Sequence, residues 1–427
     1  MGMEPLRFAS GYRGLLLAGI TLAIAAFQIH RAHGSDHLDT PTVIADPAAD
    51  IGDMFAWTSA DGKRLNLVMD IVAHQFSNRL QYVLHIDSGE HFGQTTASTL
   101  IVCRFDVANN LECWVGKTDY VHGNASNPEG IDGENHRFRV FAGLRDDPFF
   151  NNVKGTRAAY NVADAALQHG TSVDASRCPQ FDEAESREIL DTWRHTDGGP
   201  ATNFLADWKS SSLVISIDLD VVATGGKLLA IWGAVHRLPH APSAVSSKNQ
   251  ERWPAAPTLG QPIERTARPL IKNALVGGPF AADAVSNRRK EAYNRVGRDG
   301  WAQFSPDIER TLGLYDGFDG KCGNQWLADT KADPHKRYRK LATLLADDRI
   351  WVNSASSSCT QFLAVEFTAL GTPGAFAGDC GGRTPNYDAS NIFRSLLIDG
   401  TTKGGVDGLT HDERIHSTTD FPFLAAP

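Results

Sequence analysis

Apolar residues recur at every second position along three stretches of this chain, and that period limits what it can fold into. Leu65, Leu67, Met69 and Ile71 alternate with polar neighbours, as do Leu80, Tyr82, Leu84 and Ile86, and later Leu213, Ile215, Ile217, Leu219 and Val221. Successive strand side chains point to opposite faces, so a period of two means one buried and one wet face, the pattern of antiparallel sheets. Residues 99–106, 111–116, 137–142, 228–235 and 362–367 extend the series. Helix signals are fewer. Asp333-Pro334 reads as an N-cap with proline in the first turn, followed by Tyr338, Leu341, Leu344 and Leu345 on one face. Asp388 opens a second helix that buries Ile392, Phe393, Leu396 and Leu397 and stops at Gly400. Short helices are expected over 185–193 and 306–314. The fold class expected is mainly β (α+β): an antiparallel β-sandwich-like core with peripheral helices.

Six cysteines, Cys103, Cys113, Cys178, Cys322, Cys359 and Cys380, suit three disulfides in an exported chain. Asn109-Asn110 reads as a hairpin turn and favours Cys103–Cys113, a loop closure worth roughly 3 kcal/mol. Cys359–Cys380 comes second, which leaves Cys178–Cys322 as a long-range closure. No C-x-x-C occurs, so zinc ribbons and thioredoxin-like chemistry find no support.

Export is also written at the N-terminus. Arg7 and Arg13 precede an apolar run from Gly14 to Phe27, too short to span a bilayer, and Ala32-His33-Gly34 offers small residues for cleavage. The expectation is a signal peptide over 1–34, no membrane span after cleavage, and one β-rich domain over 35–427 in the periplasm or outside the cell. The proline- and serine-rich stretch 238–262 is the best candidate for an internal boundary. Cleavage removes Arg7, Arg13, Arg31 and Glu4 and leaves 38 basic against 49 acidic residues. Such a surface argues against nucleic acid and anionic membranes as partners and leaves carboxylates for cations.

The densest chemistry lies between Ser35 and Trp57. His37, Asp39, Asp46, Asp50 and Asp53 fall within seventeen residues, and carboxylates with one imidazole suit a divalent ion such as Ca²⁺, Mn²⁺ or Fe²⁺. The competing reading is structural, with Asp46-Pro47 opening a turn and Asp50 capping it before a strand at 54–57. Were Ser35 the mature N-terminus, the free amine, two amides and His37 would make a square-planar set for Cu²⁺. Asp146 and Asp147, between Arg145 and Phe149-Phe150, are candidates for the same cation as His37, or else tie a loop through Arg145. Asp316-Gly-Phe-Asp319 resembles a weak Ca²⁺ turn. Cys380-Gly-Gly-Arg383, just before a helix, could hold an anion. No nucleotide loop and no Gly-x-Ser-x-Gly nucleophile elbow is present.

Three blocks together resemble one bacterial exported family, the domain of unknown function numbered 4331. They are His37-Leu-Asp-Thr-Pro with 46–57, then Gly143-Leu-Arg-Asp-Asp-Pro-Phe-Phe150, then Cys380-Gly-Gly-Arg-Thr-Pro-Asn through Asp407-Gly-Leu to Asp420-Phe-Pro-Phe-Leu424. Glu264-Arg-Thr-Ala-Arg-Pro-Leu-Ile-Lys-Asn273 and Tyr293-Asn294 fit its middle, although Ala267 stands where the family carries Gly. The resemblance implies an exported, single-unit, β-rich protein and no agreed reaction.

Two functions fit these residues. One is a metal-binding or metal-dependent exported protein with His37, Asp39, Asp50, Asp53, Asp146 and Asp147 as the ligand pool. The other is a non-catalytic envelope protein that binds a small-molecule ligand or an envelope partner. Gathering of those side chains around one point favours the first, and dispersal into separate turns favours the second.

Overall fold

The alternating segments become strands of two antiparallel sheets in the computed structural model, which describes residues 36–239, 252–371, 374 and 376–427. The signal-peptide expectation and Ser35 lie outside the described residues, as does 240–251 within the expected boundary region. Strands β1 (Ile51–Thr58), β2 (Arg64–Ile71), β3 (Leu80–Gly89), β4 (Ala97–Phe105), β5 (Leu111–Val115), β6 (Asp119–Gly123), β7 (Ile131–Asp132) and β8 (Phe138–Asp146) come first. A two-residue hairpin, β9 (His195–Thr196) and β10 (Gly199–Pro200), precedes β11 (Lys209–Asp218), β12 (Leu228–Arg237), β13 (Pro262–Thr266) and β14 (Ile350–Asn353). One sheet runs β1-β2-β11-β8-β7 and the other β13-β12-β3-β4-β5-β6, with β14 sharing the outer edge of β12 with β13.

The sheets face each other across one apolar core that mixes Leu67, Ile215 and Val140 of the first with Leu84, Ile101 and Leu229 of the second. They approach closely at Gly233, where a Cβ would meet the Met54 sulfur and the Met69 methyl at 2.7 Å. Two sheets face to face over one core are the sandwich-like arrangement that period-two patterning leads to. One expectation of the pattern fails usefully. All eight residues of β1 are buried, and so are seven of eight in β2. The outward face of this sheet is covered rather than wet, and it carries acids.

Helices form a second apolar core that includes Trp193, Tyr315, Leu341 and Phe393. Asp388 caps its helix (Ala389–Ile398) by accepting from the Asn391 amide, and Asp333 accepts from the His335 amide ahead of the helix Arg339–Ala346. The shorter helices also form, over Glu183–Trp193 and Ser305–Asp316. Two segments depart from expectation. Residues 362–367 are not a strand but lead into a helix, Ala364–Leu370. Phe362, Leu363, Val365 and Phe367 fit either period in so short a run, and Glu366 is drawn inward by a 2.8 Å pair with Arg268. The strand expected to reach Val221 ends at Asp218, whose carboxylate takes Arg64 and Arg137, and the chain then makes one helical turn, Leu219–Val222.

The three disulfides are Cys103–Cys113, Cys178–Cys322 and Cys359–Cys380. Cys103 and Cys113 stand directly opposite in the β4–β5 register, as a hairpin turn at Asn109 requires. Three disulfides fit an oxidising compartment. Among the described residues no helix is long and apolar enough to cross a membrane.

Candidate metal centre

His37 reaches its place because the sheet makes room for it. The β1–β2 register slips between Ile51 and Asp53, a bulge centred on Gly52. A Cβ on Gly52 would lie 2.7 Å from His37 Nε2, so glycine is what lets the imidazole lie against the strand. The same register sets Asp53 opposite Asp70. Asp147 arrives from the end of β8, with its amide donating to the Trp208 carbonyl at 3.1 Å. His37 Nε2 then sits 2.9 Å from Asp147 Oδ2 and 4.0 Å from Asp53 Oδ2. The ring stacks on Phe149 and meets the edge of Trp208. Arg383 closes the far side at 2.5 Å from Asp53 Oδ1, through its guanidinium, while the helix N-terminus expected to hold an anion is capped by Asp388. Asp53 Oδ2 is left buried with no hydrogen-bond partner.

Asp39 and Asp50 stand beside this triad but gather around Glu264 of β13 instead. Leu38 N donates to Asp50 Oδ2 at 2.5 Å. Lys272 Nζ lies 2.5 Å from Glu264 Oε1 and 3.6 Å from Asp39 Oδ1. Asp36 accepts from the amides of Leu270 and Asn273, and Lys290 donates to the Asp39 carbonyl and to Asn273 Oδ1. Seven buried carboxyl groups, Asp36, Asp39, Asp50, Asp53, Asp70, Asp147 and Glu264, therefore outnumber the buried cations described beside them, Lys272, Lys290, Arg265, Arg383 and His37. Taking a carboxylate out of water costs several kcal/mol unless a positive charge compensates it.

Burial dominates the proton affinities. It raises Asp36 to about 6 and Asp50 to about 7, against the pull of Lys272 in both cases. It lifts Asp53 despite Arg383, and raises Asp70 and Glu264 well above the carboxylate range. Burial disfavours a charged His37 ring, but the neighbouring Asp147, with Asp53 and Asp50 behind it, outweighs that and lifts the group to about 9. The centre is short of positive charge and takes it from protons. A divalent cation is the other way to supply it.

Asp146 is a correction. The sequence places it with His37, but successive residues at a strand end point to opposite sides, and Asp146 joins Asp412 and His416 instead. Its carboxylate meets Arg414 at 3.2 Å. In this cluster the Ala425 amide donates to His416 Nδ1 at 3.0 Å, so the ring proton sits on Nε2, 3.3 Å from Asp412. With Nδ1 tied up as an acceptor, that Nε2 proton cannot yield to a metal without leaving an imidazolate, whereas a doubly protonated His37 can give up its Nε2 proton to a metal and stay neutral. The Asp316 turn is likewise structural, accepting from the Gly323 and Gln325 amides and the Tyr338 hydroxyl.

A cleft of about 900 Å³ lies against the outer wall of the centre. Leu38, Ala48, Val72 and Trp208 line it, with His74 and Phe76 beyond. Leu38 separates His37 from Asp39, the Val72 amide binds the Asp50 carbonyl, and the Trp208 carbonyl holds Asp147.

Glu264, Lys272, Asp36 and Asp70 were missed as site residues, and Arg383 was read only as part of an anion-binding loop. Lys272 had a signal, as a charge inside the largely apolar run 269–276, whereas Glu264, beside Arg265 and Thr266, had none. Comparison with protein families, with curated proteins and with solved structures returned no match to this chain.

Proposed function

We propose that this chain is an exported protein that holds one divalent metal ion between His37 Nε2, Asp53 and Asp147. One observation carries the reading: an imidazole nitrogen and two carboxylate oxygens converge within 4.8 Å of one another, and one of those oxygens, on Asp53, is buried without a hydrogen-bond partner. One nitrogen with two carboxylates suits Mn²⁺ or Fe²⁺ better than Ca²⁺, which prefers oxygen alone, or Cu²⁺, which prefers more nitrogen. The copper chelate would need a free amine at Ser35, which lies outside the described residues.

The ion's role is structural. His37, Asp53 and Asp147 are at most 5 % exposed, and none of the three lines a described cavity. Three protein ligands leave positions open on Mn²⁺ or Fe²⁺, so it is the burial of all three, away from every described cavity, that carries the structural reading. The ion ties the first residues after the proposed cleavage site to β1 and to the end of β8. Periplasmic or extracellular residence follows from the N-terminal pattern together with the disulfides. Membership of the unknown-function family 4331 rests on the sequence blocks, whose quoted residues His37, Asp53, Asp147 and Arg383 meet at this centre.

A second reading, small-molecule binding without catalysis, is favoured by the cleft that shares a wall with the centre. Elemental analysis tests the first reading, using protein exported with its native N-terminus and never exposed to chelator. About one Mn or Fe per chain, lost in His37→Ala, is the expected result. A wild type without metal overturns it.

A further inference from the structure

Beside the His37 centre, Asp39, Asp50 and Glu264 each bring one carboxylate oxygen within 4.8 Å of the others. Two of the outer oxygens are already tied, Asp50 Oδ2 by the Leu38 amide and Glu264 Oε2 by the Asn294 carboxamide. Asp50 Oδ1 and both oxygens of Asp39 are buried with no hydrogen-bond partner. Buried carboxylate oxygens are nearly always hydrogen-bonded, so charge holds these in place. The charge at hand is Lys272 Nζ, beside Glu264 Oε1 and Asp39 Oδ1. Lys290, the other buried lysine here, spends its described hydrogen bonds on the Asp39 carbonyl and on Asn273.

We infer that Asp39, Asp50 and Glu264 form a second cation site, of the oxygen-only class that takes Ca²⁺ or Mn²⁺, and that the Lys272 ammonium occupies it in the native chain. An ammonium is a compact point charge with three donors and no planar fork, so it substitutes for a hard cation where a guanidinium would not fit. Lys272 is delivered by a π-helical turn, Ile271–Gly277, and its side chain is 1 % exposed. A cation on a covalent stem cannot dissociate. Asp39 and Asp50, which bracket the segment between His37 and β1, therefore stay placed whatever the supply of metal. Lys272 is in this sense a positioning residue for the His37 centre, and the site stands on its own contacts whether or not that centre holds an ion.

The test replaces the ammonium and keeps most of its stem. Wild type, Lys272→Met, Lys272→Arg and Lys272→Met/Asp50→Asn are equilibrated with Mn²⁺, freed of unbound ion and assayed for Mn per chain. Lys272→Met is expected to carry one Mn more than wild type, and Lys272→Met/Asp50→Asn to lose that extra ion. Lys272→Arg is expected to gain none. Because the readout is a difference from wild type, failure of the His37 assignment leaves it unchanged. A folded Lys272→Met with no extra Mn overturns the inference. Should Lys272→Met fold only when Mn²⁺ is present, the inference is supported. Should it fail to fold even then, while the charge-rebalanced Lys272→Met/Glu264→Gln folds, the cage does not accept a metal and the inference falls.

Discussion

Asp146 and Asp147 are neighbours in the chain, yet each ends in its own cluster of one histidine and two aspartates. The clusters match in composition and burial, and a difference that matters for a metal lies at the histidine. At His416 a backbone amide points at Nδ1 and forces the proton onto Nε2, which then serves its carboxylates as a donor. At His37 the Nε2 atom faces Asp147 and an Asp53 oxygen that nothing else satisfies, inside a region with more acids than bases. Residue types alone do not make a metal site. The backbone around the imidazole and the local charge balance decide it.

The two neighbouring aspartates give the sharpest way to break this comparison. Asp147→Asn should abolish metal binding and cost about 3–5 kcal/mol in urea unfolding, since it leaves the rest of a buried charged set uncompensated. Asp146→Asn should keep the metal. Equal metal loss in the two variants would erase the distinction.

A half-buried histidine extends the contrast. His85 stacks on Trp232 with no carboxylate partner, and burial lowers it to about 3. The folded chain keeps this ring neutral while the unfolded chain protonates near 6.5. Stability is therefore complete above about pH 6.5 and falls as pH drops towards 3, by up to roughly 5 kcal/mol. His85→Phe should flatten that acid limb of the unfolding profile, and an unchanged limb would assign acid lability elsewhere.

Gly52→Ala places a methyl against His37 Nε2. It should weaken metal binding roughly tenfold and cost about 1–3 kcal/mol as an overpacked contact, both measurable by competition with a chelator and by thermal melts. Wild-type affinity in this variant would mean that the bulge does not set the imidazole. The smallest effect is expected from His416→Gln, about 1–2 kcal/mol for lost hydrogen bonds with metal content unchanged.

The sandwich was legible because period-two alternation in β2, β3 and β11 states which face is buried, and because the Cys103–Cys113 pair marks its own hairpin. The coverage of the outer sheet face was not legible, since β1 places Asp53 where a wet residue would also stand. His37, Asp39, Asp50 and Asp53 stood out through local density. Glu264 and Lys272 enter from more than 200 positions away, through β13 and the π-helical turn, and only topology brings them in. Asp146 and Asp147 stood as alternatives for the His37 ion, and strand alternation separates them, sending Asp147 to His37 and Asp146 to His416.

The most direct test is an anomalous difference map at the Mn and Fe absorption edges, from crystals of exported protein purified without chelator. The expected result is one peak about 2 Å from His37 Nε2 and from carboxylate oxygens of Asp53 and Asp147, with nothing at His416. No peak at His37, or a peak at His416 instead, would contradict the proposed centre.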